Sequence, residues 1–349
     1  MNVLVTGGAG FIGSHLVDAL MVEGHEVVVL DDLSVGKLEN VAHHLFSDRF
    51  RFVRDSVLNE AVLEPLVRWA DVVFHLAAVV GVKYVVEDPL RAIRVNIRGT
   101  ENVLDLAFRY GVRTVVASSS EVYGKSTHVP LREDNDRLLG PTTVPRWSYA
   151  DAKAIDEYIA LAYARQGLPV TIVRYFNAYG PRLDPRGYGS VVARFFTQAL
   201  RGEPLTIYGD GQQTRSFTYV SDTVRGTILA GTKPEAAGQI FNIGSDREIT
   251  INDLAQRILE LTGSRSEIVH VPYSEAYGPD FEETRRRVPD VSRAREVLGF
   301  EARIPLEEGL RRTLEWFRRT VLASLEVADE CRNDGVGAFF APPALSGRV

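Results

Sequence analysis

The feature that most limits the folds open to this chain is its alternation of short apolar runs with longer periodic segments. Residues 3–6, 26–30, 51–53, 72–75, 113–118 and 170–176 read as strands, and 11–24, 60–68, 89–110 and 149–166 as the helices between them. Strands that are apolar along their whole length are buried on both faces, and strands joined through helices run parallel. The pattern therefore predicts an α/β fold built on a doubly wound parallel sheet.

After Asn177 the rhythm changes. Residues 178–190 are rich in Gly, Pro and Arg and read as a loop. A helix at 191–201, a strand at 205–208, strands at 215–220 and 239–243, and helices at 251–262 and 304–319 predict a smaller α/β lobe interleaved with the first. The expected division is a sheet domain over 1–177, to which the chain returns around 212–235, and a second lobe over 178–211 and 236–319. Residues 320–349 lack periodicity and are expected to form a loosely ordered tail.

Composition narrows the function classes. A net charge of −6 without long basic runs argues against nucleic acid as a partner, although it leaves room for a local phosphate pocket. One cysteine, Cys331, makes neither an internal disulfide nor a cysteine metal cluster, and no metal is expected. No basic-then-apolar leader opens the chain and no apolar run is long enough for a bilayer, so a cytoplasmic protein without a membrane partner is expected.

GGAGFIG places Gly7, Gly10, Phe11, Ile12 and Gly13 between the first strand and the first helix. The first glycine permits a tight turn, the second lets backbone approach a pyrophosphate, and the third lets helix and strand pack closely. The helix N-terminus then receives the anion. Asp31, at the tip of the second strand, is the acid such a fingerprint requires for a ribose 2′-hydroxyl, and it disfavours a 2′-phosphate. Together these predict a Rossmann-type domain that binds NAD rather than NADP. Asp55 follows the third strand and is a candidate for the adenine amino group or for a helix cap. HLAA ends the fourth strand in small residues, and Ala77 suits close passage of a cofactor, whereas His75 reads as a packed strand-end residue.

YADAK sets Tyr149 and Lys153 at i and i+4, one above the other on a helix face. A nearby ammonium and a cationic nicotinamide lower the pKa of a phenol, so the pair can take a proton from a sugar hydroxyl as hydride leaves the same carbon. Ser119 or Ser120, at the end of the fifth strand, can hydrogen-bond that hydroxyl.

TGGAGFIGSH, HLAA, SSSEVYG, YADAK, RYFNAYGPR and YGDGQQTRSFTYVSD, in this order over about 1–318, resemble the extended short-chain dehydrogenase/reductases, the NAD-dependent nucleotide-sugar epimerases, dehydratases and decarboxylases. The resemblance implies C4 oxidation of a nucleoside-diphosphate sugar by Tyr149, Lys153 and Ser119. It implies substrate contacts from Ser120, Asn177, Arg215, Tyr208, the backbone at Val192, and Arg287. It also implies a homodimer packed through helices near 90–110 and 149–166.

Glu121 in SSSEVYG then separates the chemistries. A 4-epimerase needs no acid near C5 or C6, and a 4,6-dehydratase typically has adjacent Asp and Glu where this chain has Ser120 and Glu121. The family's UDP-glucuronate decarboxylases carry the Ser-Glu-Val-Tyr-Gly of this chain, and PRWSYADAK resembles the segment around the tyrosine in bacterial decarboxylases. Once C4 is a ketone, a C6 carboxylate is β to it and can leave as CO₂. Glu121 beside it would destabilise that carboxylate or help deliver the C5 proton. A UDP-glucuronate decarboxylase giving UDP-xylose or its 4-keto precursor is the expected function. The alternatives are a UDP-hexose or UDP-hexuronate 4-epimerase, in which Glu121 merely caps a loop, and a non-catalytic NAD-binding protein.

Overall fold

The computed structural model describes residues 1–81, 88–186, 189–277 and 283–333, with the backbone alone at 277 and 321–333. Lys83 and Tyr84, expected in a substrate-facing loop, lie outside the described residues. A seven-stranded sheet organises the first half. Its strands are β1 (Asn2–Thr6), β2 (Glu26–Leu30), β3 (Phe50–Val53), β4 (Val72–His75), β5 (Arg113–Ser119), β6 (Val170–Tyr175) and the segment Ile240–Ile243. Their spatial order is Ile240–Ile243, β6, β5, β4, β1, β2, β3, and every neighbour pairs in parallel. The order reverses direction at β1, and this is where a doubly wound sheet opens a crevice at the carboxyl ends of its strands.

The sequence explains the central position of β1. Val3, Leu4 and Val5 are wholly buried, which only a strand with neighbours on both edges and helices on both faces can satisfy. Helices end where their caps dictate. In the Pro89–Tyr110 helix, Asp88 accepts a hydrogen bond from the amide of Arg91, proline occupies the first turn, and Gly111 at φ 66° closes the C-terminus.

The last sheet strand departs from the expected division. The sequence pattern places 236–319 in the smaller lobe, yet Ile240–Ile243 pairs with β6 and completes the main sheet. The helix Val220–Thr232 precedes it as the crossover. Phe241 and Ile243 are buried, so a strand in the smaller lobe would leave the edge of β6 exposed. The expected strand over 215–220 is two short ones, Thr214–Ser216 and Thr218–Tyr219, with the helix starting at Val220.

The smaller lobe carries the pair Leu205–Tyr208 with Ile268–Val271, and a three-stranded sheet in the order Glu248–Thr250, Thr214–Ser216, Arg286–Arg287. Apolar packing is continuous between the halves: Leu16 and Val17 belong to the same buried cluster as Phe195, Leu254 and Phe317. The final helix, Leu306–Asn333, also runs past the expected limit of 319. No glycine or proline lies between Gly309 and Gly335, so nothing local stops the helix at 320. Residues 334–349 lie outside the described part.

Candidate active site

One cleft runs from the glycine turn to Arg287, and its lining brings together Gly7, Gly10, Phe11, Ile12, Gly13, Asp31, Asp55, Ala77, Ser119, Ser120, Glu121, Tyr149, Lys153, Asn177 and Arg287. Residues from both halves thus face a common space.

At the nucleotide end the glycines are sterically required. Gly7 sits at φ 71°, and a Cβ there would lie 2.7 Å from the amide nitrogen of Ala77. A Cβ on Gly13 would lie 2.2 Å from the carbonyl oxygen of Gly7. Any side chain would therefore prise the first helix off the turn. Asp31 is buried and accepts from the amides of Ala9 (2.9 Å) and Leu33 (2.8 Å). Burial pushes its carboxyl above the usual range, against these two hydrogen bonds. Two of its four acceptor positions remain for a ribose diol. A tight glycine cradle at a helix start and a carboxylate at the next strand tip fit NAD. Asp55 accepts from the Ser56 amide (2.7 Å) and from Asn59 (3.1 Å), which brackets the approach to the Glu60–Trp69 helix, and it also lines the cleft.

The centre is built on the Trp147–Arg165 helix. Glu157 of this helix accepts from Ser118 (2.5 Å) and from Arg174 (2.7 Å), locking the helix to the ends of β5 and β6. Ser119 ends β5 and caps the short 3₁₀ turn Ser120–Tyr123, accepting from the amide of Glu121. It also hydrogen-bonds Tyr149. Lys153 is buried and donates to Asp156 at 3.1 Å. Lys153 is one of the two cations expected to lower the Tyr149 pKa, the other being the nicotinamide of bound NAD. Burial, then the negative charges of Glu121 and Asp156, hold the phenol above its ordinary value despite the hydrogen bond to Ser119. Asp156 is the ion-pair partner of Lys153. His75 is a buried strand-end residue between Thr6 (2.8 Å) and Thr100 (3.0 Å), and burial, with the Lys153 charge, lowers its pKa to about 3.

Glu121 stands in a chain of charges. Its carboxylate meets Arg287 at 2.5 Å and Arg146 at 3.6 Å, and Glu283 joins Arg146 (3.4 Å) to Arg215 (2.6 Å). Burial alone would raise the Glu121 carboxyl, but Arg287, Arg146 and Arg215 together hold it down at about 2. Its side chain keeps 26% exposure, and it lines the cleft. Arg215 and Arg287 lie opposite each other in paired strands. Burial and this neighbour lower Arg215 to about 10. Three guanidiniums face two carboxylates here, an excess of one positive charge suited to an anionic ligand.

Two of these residues escaped sequence reasoning. Arg146 precedes Tyr149 and Lys153 at i, i+3 and i+7, the signature of a shared helix face, and its guanidinium also lies 5.1 Å over the Trp147 ring. Glu283 has no local signal, since its partners come from distant segments. Three expected substrate contacts lie apart from the cleft lining. Val192 is wholly buried, its side chain packed into the core. Only Gly189 and Ser190, just before that helix, line the cleft. Tyr208 lies under the guanidinium of Arg194 at 4.1 Å. Arg215 is linked through Glu283 to Arg146, which lines the cleft. Asn177 lines the cleft at φ 33°, its amide donating to the Ser216 carbonyl (3.0 Å).

The family model for the NAD-dependent epimerase/dehydratases matches residues 3–244, covering the glycine turn, SSSEVYG and YADAK. The chain belongs to the NAD-dependent epimerase/dehydratase family. Among curated relatives, the UDP-N-acetyl-alpha-D-glucosaminuronate decarboxylase of Bacillus cytotoxicus is 47% identical over 315 residues, 90% of this chain and 97% of the relative. UDP-glucuronic acid decarboxylase 1 of Danio rerio is 40% identical over 319 residues, 91% of this chain and 73% of the relative. Among solved structures, the UDP-glucose 4-epimerase of Thermotoga maritima with UDP-glucose is similar at a TM-score of 0.83 and 38% identity, covering 92% of this chain and 100% of the other. The epimerase/dehydratase scaffold is thus common to both chemistries, and the side chains around Tyr149 must separate them.

Proposed function

We propose that this chain is an NAD-dependent decarboxylase of UDP-hexuronic acids, with UDP-glucuronate as the expected substrate. The observation that carries the reading is Glu121 held ionised between Arg287 and Arg146, beside Tyr149. A plain epimerase has no use for such a cluster, because its ketosugar only turns over. Curated relatives at 40–47% identity are named decarboxylases.

When bound, NAD supplies the hydride acceptor for oxidation at sugar C4. Tyr149 takes the hydroxyl proton, Ser119 steadies the oxygen, and Lys153 holds positive charge under both. The C5–C6 bond then breaks, CO₂ leaves, and its electron pair passes to the C4 oxygen, where Tyr149 and Ser119 hold the enolate. C5 then takes a proton. With its pKa at about 2, Glu121 has no proton to give at neutral pH while paired with Arg287. In this arrangement it repels the substrate's own carboxylate and orients the guanidiniums. It can deliver the C5 proton only if Arg287 turns to the substrate. Arg287, Asn177 and, through Glu283, Arg215 fit the diphosphate and sugar acid.

A second reading concerns the substituent at C2. The relative at 47% identity is named for an N-acetylated hexuronate, so the sugar is either UDP-glucuronate or its 2-acetamido counterpart. Incubating the purified chain with each, and following CO₂, NADH absorbance and product mass, tests both points. Loss of CO₂ from either sugar supports the decarboxylase. Epimerised sugar with its carboxylate intact, or no reaction, overturns it.

The reading extends to assembly and place. The helices Pro89–Tyr110 and Trp147–Arg165 pack together and expose Leu90, Phe108, Ile155 and Tyr158, the last at 66%. An apolar face of this kind fits a homodimer built on these two helices. No described helix is long and apolar enough to cross a membrane, which is consistent with a cytoplasmic enzyme.

A further inference from the structure

On the outer side of the first helix, far from Glu121 in the sequence, two adjacent histidines turn their rings onto one carboxylate oxygen. Nε2 of His43 and Nε2 of His44 each lie 2.8 Å from Oδ1 of Asp18. All three donor atoms fall within 4.8 Å of one another. Asp18 is carried by the Phe11–Val22 helix, and the histidines by the 3₁₀ turn Ala42–His44 that follows β2. We propose that Asp18, His43 and His44 form a binding site for a divalent transition-metal ion such as Zn²⁺, a metal that no sequence motif of this chain led us to expect.

The chemistry of the donors favours such an ion. Two imidazole nitrogens and one carboxylate oxygen suit zinc, cobalt or nickel, whereas calcium and magnesium want an all-oxygen set. Metal–ligand bonds of about 2.0–2.1 Å in a tetrahedron set donors roughly 3.3 Å apart, so the present 2.8 Å spacings need to open by only about half an ångström. Orientation is partly built in. The His44 ring packs against Phe50 with centroids 5.6 Å apart. The second oxygen of Asp18 accepts from Arg182 at 2.7 Å, the kind of outer partner that fixes a ligating carboxylate. Access is open as well: His43 is half exposed, leaving water to complete the coordination.

Without a metal, the same residues make a hydrogen-bonded cluster in which both rings donate to Asp18. Direct titration distinguishes the two. The untagged full-length chain, stripped with chelator, is titrated with Zn²⁺ by calorimetry and with Co²⁺ by visible absorption. The expected result is one saturable equivalent and the intense visible bands of tetrahedral cobalt. His43→Gln and His44→Gln should each weaken binding at least 10-fold, since loss of even an outer partner costs about 10–100-fold. His270→Gln, a histidine bonded to Asn252 elsewhere, should leave it unchanged. Absence of saturable binding to the native chain overturns the site, as does equal affinity in a folded His43→Gln/His44→Gln double variant. Asp18→Asn, which keeps the shape and removes the charge, gives a further check if that double variant does not fold. None of these readouts depends on decarboxylation.

Discussion

Arg287 reaches back 166 residues to place its Nη1 2.5 Å from Oε1 of Glu121. The strand that carries Arg287 pairs with the one carrying Arg215, so two guanidiniums converge from the smaller lobe on a carboxylate carried by the main sheet. A glutamate set among three arginines stays charged, and its negative field reaches Tyr149. In the proposed reaction this one side chain would couple chemistry at C4 to chemistry at C6.

Glu121→Gln keeps the shape of this contact and removes its charge. C4 oxidation should continue, because Ser119, Tyr149 and Lys153 are untouched. Carbon–carbon cleavage or C5 protonation should slow by roughly 10²-fold or more if Glu121 handles a proton in the transition state. Stopped-flow NADH absorbance set against released CO₂ checks this, the expected signature being NADH that appears without matching CO₂. Unchanged CO₂ release would remove Glu121 from the second half of the reaction.

The same carboxylate gives an acid-stability signature. Its folded pKa of about 2 lies below the ordinary 4.5, so the native state binds this proton less readily than the unfolded chain. The stabilisation is therefore present above pH 4.5 and is lost as pH falls from there towards 2. Thermal melts across that window should fall more steeply for the native chain than for Glu121→Gln. Parallel curves would show that the ion pair contributes no net stability.

Tyr149→Phe should abolish C4 oxidation while UDP-sugar binding persists, since the nucleotide is held by other residues. The remaining phenyl ring fills the same space, so folding should survive. Calorimetric titration with UDP-glucuronate alongside NADH absorbance checks both halves of the statement. A normal turnover number in this variant would exclude Tyr149 as the base.

Asp31→Ala should weaken NAD binding and relax its preference over NADP, because the carboxylate both accepts from a ribose hydroxyl and repels a 2′-phosphate. Cofactor fluorescence titrations of native and variant chains measure the ratio. Equal affinity of the native protein for both cofactors would remove Asp31 from the ribose.

Tyr158→Asp, on the most exposed of the apolar helix positions named above, should convert a dimer to monomers. Light scattering after size exclusion reads the mass directly. A native chain that runs as a monomer would rule out the two-helix interface.

Local chemistry alone made much of this protein legible. The six strands of the first half, the turn at Gly7, the acid at Asp31 and the Tyr149–Lys153 spacing all follow from periodicities and backbone limits that act over a few residues. What tertiary structure decided are the relations between distant segments. Residues 240–243 are a strand in either lobe by pattern, and the unpaired edge of β6 places them in the main sheet. The Val192 side chain lies in the core, a placement the chain's own pattern does not specify. Tyr149 and Lys153 share a helix face by spacing, yet only the fold brings the Glu121 charge to bear on the phenol. Glu283, which joins Arg146 to Arg215, carries no motif, because a half-buried charge is placed by its partners and those partners meet only when the two halves close on each other.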